Sequence, residues 1–144
     1  MKEIIHLLLY SDLGSELNNL TLFAFRILFA FELFYVHGMK KIRLKNGKQE
    51  RVPNPLHLPE KINAFVAVFS DTVVPIFIAA GLGTRLFVLP TLGVTSIGYF
   101  VVHRNDSLDV EDVPYMYSIC LLLLLFIGAG TYSFDNYLIQ YFNN

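Results

Sequence analysis

Charge is what this sequence has least of. Asp, Glu, Lys and Arg make up 16% of its 144 residues, where a soluble domain carries about 25%, and 54% are hydrophobic. A water-soluble fold of this length needs more polar surface than this composition supplies. The soluble bundle is therefore the weaker reading and a lipid-embedded chain the stronger one. Cysteine is nearly absent too: a single Cys120 excludes an internal disulfide and any Cys-pair metal or redox motif. Redox chemistry would need a borrowed cofactor. The net charge is −1, without the uniformly basic surface that attracts nucleic acid, so no nucleic-acid partner is expected. The short apolar patch that ends at Ser11 and Asp12 is followed by no small-residue cleavage site, and nothing reads as a removed signal peptide.

What the chain does have is long apolar runs. Four stand out, at about 20–38, 62–82, 86–102 and 114–130, each near the ~17 to 25 residues that cross a bilayer as helix. The last two carry no charge at all. Four such helices in so short a chain leave almost no polar face for water. The expected fold is all-α: one integral membrane domain over residues 1–144, a transmembrane antiparallel four-helix bundle with short interfacial helices at the termini. Gly83-Thr84-Arg85 predicts a tight hairpin between the second and third spans. Pro75 and Pro90 predict local kinks. The aromatic segment 134–142 suits the headgroup zone, with Ser133 as the N-cap of its helix and Asp135 near the positive end.

Orientation follows from the cations. Lys40, Lys41, Arg43, Lys45, Lys48, Arg51 and Lys61 fall in or beside the first loop and Arg104 in the third, against Lys2 and Arg85 on the other side. The positive-inside rule puts loops one and three in the cytoplasm of a multi-pass inner-membrane protein.

Ionisable groups inside spans are costly and face a protein interior or a wet cavity. Arg26 and Glu32 in the first span and Asp71 in the second are the candidates, and Arg26 is expected to pair with Asp71, Glu32 or both. Two readings stay open: an ionic cross-link between helices, or a polar cavity holding a quinone headgroup, a proton path or a small ligand. His37 lies about three turns from Arg26 on one helical stripe, with Lys41 a further turn on. His103 ends the third span on the same membrane side, so His37, Lys41 and His103 are expected to line the mouth of such a site. Ala64, Ala67, Asp71, Pro75 and Ile78 share a face of the second helix that allows close approach to the first. Tyr99, Tyr115 and Tyr117 read as headgroup anchors. Metal-ligand spacing is lacking, and no metal site is expected.

Taken in order, several of these residues resemble the DoxX family of small membrane proteins. They are His37-Gly38-Met39-Lys40-Lys41-Ile42, Val52-Pro53-Asn54-Pro55-Leu56, Asp71 in mid-helix, Gly81-Leu82-Gly83-Thr84-Arg85-Leu86, His103 before an acidic stretch, and the ending Gly128-x-Gly130-x-x-Ser133-x-Asp135. The likeness runs from Phe25 to Leu138; it departs where Asp71 replaces the family's usual Glu and where the first loop is longer and more charged. It implies a four-helix membrane bundle, in some members a subunit of quinone-linked oxidoreductases acting on sulfur compounds or oxygen-derived species, with the chemistry in partner proteins. The leading expectation is thus an accessory or quinone-interacting subunit of a membrane oxidoreductase assembly. It has no intrinsic cofactor, quinone as the ligand, and the bilayer and soluble redox proteins as partners. The alternatives are a non-enzymatic scaffold or assembly partner, and a small-molecule or lipid transporter. Catalysis by the chain itself and homo-oligomer formation stay open.

Overall fold

A helix that is apolar all round has no face for water, and the long apolar runs form helices of that kind. The structure, a computed structural model, describes residues 2–43 and 52–143; Lys45, Lys48 and Arg51 lie outside the described residues. A short helix α1 (Lys2–Leu9) precedes α2 (Glu16–Ile42), α3 (Glu60–Ala80) and α4 (Thr84–Val102). Then come α5 (Leu108–Ile127) and a short α6 (Phe134–Asn143). The four long helices are each long and apolar enough to cross a membrane, and they pack as the expected antiparallel bundle, with α2 on α3 and α4 on α5. Their outward faces are apolar: Phe31, Phe65, Phe100 and Phe126 are 64%, 66%, 69% and 76% exposed, a surface stable against lipid and a liability in water. Inside, Leu22, Phe29, Leu33, Val74, Ile78, Val88, Leu121 and Leu124 form one core.

The spans begin and end differently from the apolar runs, for identifiable reasons. α2 starts at Glu16 because Ser15 caps it, accepting from the Asn18 N–H at 3.1 Å. It runs past Gly38 to Ile42. α5 starts at Leu108 rather than near Pro114: the acidic stretch that reads as loop forms its first turns, where carboxylates favour a helix N-terminus. It stops at Ile127 because Gly128 takes φ +84°. The terminal helices α1 and α6 pack on each other at the end of the bundle where α2 begins. Ser133 caps α6 as expected, accepting from the Asn136 N–H at 3.2 Å while its hydroxyl donates to the Gly130 carbonyl at 2.6 Å. Ser133→Ala is expected to lower stability by about 1 kcal/mol, read as a fall in Tm in detergent.

Three spans contain one widened π-helical turn each, at Phe34–Gly38, Phe69–Val73 and Gly98–Val102. The second follows from Pro75. Its ring crowds the carbonyl four residues back, that of Asp71, and it has no N–H to offer that carbonyl. The chain widens, Val74 N–H bonding to the Phe69 carbonyl instead, so Pro75 produces a π turn where the sequence predicts a kink. Two carbonyls are thereby released. That of Ser70 accepts from the buried Thr91 hydroxyl of α4 at 3.1 Å. That of Asp71 lies against α2, where a Cβ on Gly38 would sit 2.3 Å from the oxygen. Only glycine allows the two backbones to meet there.

Candidate functional site

Polar side chains fall into two layers. The first lies at the end of the bundle where α1 and α6 pack. Each α-helix finishes with carbonyls that lack intrahelical partners, and two arginines supply the donors. Arg26 is fully buried; its Nη1 donates to the carbonyls of Ile78 at 3.0 Å and Ala79 at 3.5 Å, its Nη2 to that of Tyr132 at 2.5 Å. Arg85 donates to the carbonyls of Leu7 and Leu8 in the last turn of α1 and of Tyr10 just after it, and to those of Leu125, Phe126 and Ile127 at the end of α5. A cation at a helix C-terminus also complements the helix dipole. Asp135 serves the opposite polarity. Its carboxylate accepts from the N–H groups of Gly83 at 2.6 Å and Thr84 at 3.2 Å, at the start of α4, while its own N–H donates to the Gly81 carbonyl. Burial pushes the Asp135 carboxyl above the usual carboxylate range, and the two N–H donors with Arg26 and Arg85 only partly offset it.

The expected pairing of Arg26 with Asp71 or Glu32 is corrected by this geometry. The acid that acts on its guanidinium is Asp135. Arg26 is level with Ile78, seven residues beyond Asp71 on α3, or roughly 10 Å along the axis. Open carbonyls at the end of α3 take its donors. Gly81, at φ +67°, makes room: a Cβ there would lie 2.1 Å from Arg26 Nη1. Ser11 and Asn19 complete the layer. The Ser11 hydroxyl donates to the Ile127 carbonyl and accepts from Gly130 N–H, and Asn19 Oδ1 accepts from Thr131 N–H.

The second layer lies near the middle of the spans. Tyr117 of α5 donates its hydroxyl to the Glu32 carboxylate of α2. His37 sits edge-on to the Tyr117 ring with centroids 5.1 Å apart, and its Nε2 is buried without a hydrogen-bond partner among the described residues. The Asp71 carboxylate and the Cys120 thiol are within electrostatic reach of the Tyr117 hydroxyl, and Cys120 of Glu32 as well. Glu32 is itself exposed on the side of the bundle. Of the sequence candidates, Glu32, Asp71 and His37 come together, with Lys41 a turn beyond His37 on the first-loop side. Arg26 belongs to the other layer. His103 is held at the rim, its Nδ1 2.7 Å from the Asp106 carboxylate. Tyr117 was hidden by the late start assigned to the fourth span. Among the described residues no group of three His, Cys, Asp or Glu is placed to hold a metal ion.

The DoxX family model matches residues 21–104, more than half of the chain. The chain belongs to the DoxX family. The match includes Arg26, Glu32, His37, Asp71 and Arg85 and ends before Tyr117 and Asp135, so each polar layer of this DoxX protein joins residues inside the matched region to residues beyond it. A relative in Haemophilus influenzae, an uncharacterized protein, is 30% identical over 126 residues, covering 82% of this chain and 83% of that one. No solved structure matches the sequence. The protein is thus a DoxX-family integral membrane protein whose family region supplies the arginine clamps and three of the mid-membrane polar groups.

Proposed function

We propose that this DoxX protein is an accessory subunit of a redox assembly in the cytoplasmic membrane and binds a quinone or quinol at Glu32, His37, Asp71 and Tyr117. The observation that carries the reading is the Tyr117 to Glu32 hydrogen bond beside a histidine nitrogen that is buried and unbonded. A quinol hydroxyl must donate and a quinone carbonyl must accept. Glu32 and Asp71 supply acceptors, His37 in its Nε2–H tautomer supplies the donor, and the Tyr117 hydroxyl, whose proton is given to Glu32, holds that carboxylate in place. Glu32 opens sideways at mid-span, so a ligand dissolved in the bilayer reaches it without passing through water. Electron transfer falls to a partner protein, for which the lysine-rich side at Lys40 and Lys41 is the docking face. By the charge asymmetry of the loops this is the cytoplasmic side.

Spectral titration of the purified protein with a short-chain quinone tests this. Glu32→Gln and His37→Phe are each expected to weaken binding about tenfold, the worth of one hydrogen bond of roughly 1.4 kcal/mol. Wild-type protein that takes up no quinone and carries none on extraction would remove the proposal.

A further inference from the structure

The outward face of α2 carries a seam. Leu17, Thr21, Ala24, Leu28, Phe31 and Tyr35 are all exposed, and they follow one another at alternating steps of four and three residues. That is the seven-residue repeat by which two parallel helices pack, and Thr21 and Ala24 are small enough to let two backbones approach. Lipid would cover the apolar members equally well, but it does not suit two polar groups at one level of this face. Glu32 is exposed beside the seam, ten residues before the end of α2 and so at a depth of roughly 15 Å. Its carboxylate has about four acceptor positions, and Tyr117 is its one hydrogen-bond donor among the described residues. Tyr35 is 60% exposed, and its ring stacks on that of Phe31, 5.6 Å away and one turn nearer mid-span. The Tyr35 hydroxyl is thus carried away from the headgroups toward the level of Glu32, and it has no hydrogen-bond partner among the described residues. A donor and an acceptor left open in hydrocarbon each cost free energy.

We propose that the chain forms a parallel homodimer through this face of α2, each copy donating its Tyr35 hydroxyl to the partner's Glu32. Two copies inserted in the same sense are related by a two-fold axis along the membrane normal, which sets α2 beside α2 with equal residues at equal depth. In such a pair Phe31 enters a hole whose walls include the partner's Glu32 and the partner's Tyr35. The Tyr35 ring that lies on Phe31 is brought to the same place. The contact is self-complementary: one open donor and one open acceptor per copy satisfy each other twice. An unrelated helix would have to bring a donor for Glu32 and an acceptor for Tyr35 at matching spacing, whereas a second copy brings both by symmetry. The inference goes beyond the quinone reading and does not need it. With Tyr117 and the partner's Tyr35 both bound, Glu32 keeps acceptor positions for a quinol hydroxyl, and the second copy then contributes a residue to that site.

The test uses the full chain in phosphatidylcholine vesicles without quinone, so the dimer and the ligand reading fail separately. In a Cys120→Ser background, oxidation by copper phenanthroline is expected to join Leu28→Cys to itself as a disulfide-linked dimer. Leu89→Cys, on the exposed side of α4, which packs on α3 and α5, is expected to stay monomeric. Energy transfer between copies labelled at the N-terminus, followed as the protein is diluted with lipid, measures the strength of the dimer. Tyr35→Phe is expected to weaken it about tenfold for each of the two symmetric bonds. In a Glu32→Leu background the same change is expected to have no further effect, as for two groups in direct contact. Chains that stay monomeric at every protein-to-lipid ratio would leave lipid as the cover of this face and overturn the inference. A disulfide at position 89 and none at position 28 overturns it as well. So does a dimer that Tyr35→Phe leaves unchanged, or weakens equally with and without Glu32.

Discussion

Arg26→Leu is expected to lose about 3–5 kcal/mol of stability, the cost of removing one partner from a buried charged network, against a total of roughly 5–15 kcal/mol for a folded domain. The leucine would leave the carbonyls of Ile78, Ala79 and Tyr132 without a donor, in lipid where water cannot replace it. Asp135 would at the same time lose one of the two cations that act on its buried carboxylate. Arg26→Lys is expected to fall between wild type and leucine: the charge survives, but an ammonium lacks the planar fork that spans α3 and the segment before α6. Thermal unfolding in detergent measures both. A leucine variant within about 0.5 kcal/mol of wild type, as for an ordinary surface substitution, would mean that the guanidinium does not hold these elements. For the same reason Arg26 variants make poor probes of the ligand site, and Glu32 and His37 are the positions to change.

The second large effect is at Gly38. Gly38→Ala puts a methyl group 2.3 Å from the Asp71 carbonyl oxygen. That neighbour is backbone and has no rotamer to escape into, so α2 and α3 must separate. Overpacking of this kind costs about 1–3 kcal/mol, and separation also draws Glu32 and His37 away from Asp71. Pro75→Ala should restore part of the loss in the double variant, because an N–H at position 75 gives the Asp71 carbonyl its ordinary partner and draws it back into α3. The Tm values of the two single variants and the double form a cycle. Strictly additive losses would show that Pro75 does not aim this carbonyl at α2.

The spans were legible because lipid tolerates few alternatives to an apolar helix, and the runs around Leu28, Val68 and Leu123 announce it. Depth was less legible. Pro114 looked like the start of the fourth span, which put Tyr117 at the headgroups; with α5 starting at Leu108 the same tyrosine is carried inward to Glu32. The partners of Arg26 left no trace in residue types, since backbone carbonyls are common to every position and only the fold determines which are left open. Asp135 had a signal in the Gly-x-Gly-x-x-Ser-x-Asp ending and its place near the start of the last helix. The helix end that its carboxylate serves belongs to α4, a tertiary fact. Of the π turns, the one before Pro75 has a local cause. Those at Phe34–Gly38 and Gly98–Val102 have none visible in the sequence.

The acceptors of Arg26 are synthesised in a fixed order: Ile78 and Ala79 first, and Tyr132 much later. A nascent chain released after its first span would carry a bare guanidinium into hydrocarbon. Half the clamp becomes available once the second span has followed the first. The remainder waits for the residues that follow the fourth span, so the first span reaches its final seat only after all four have been made, and a product shortened before Tyr132 would present the insertion machinery with an unsealed bundle.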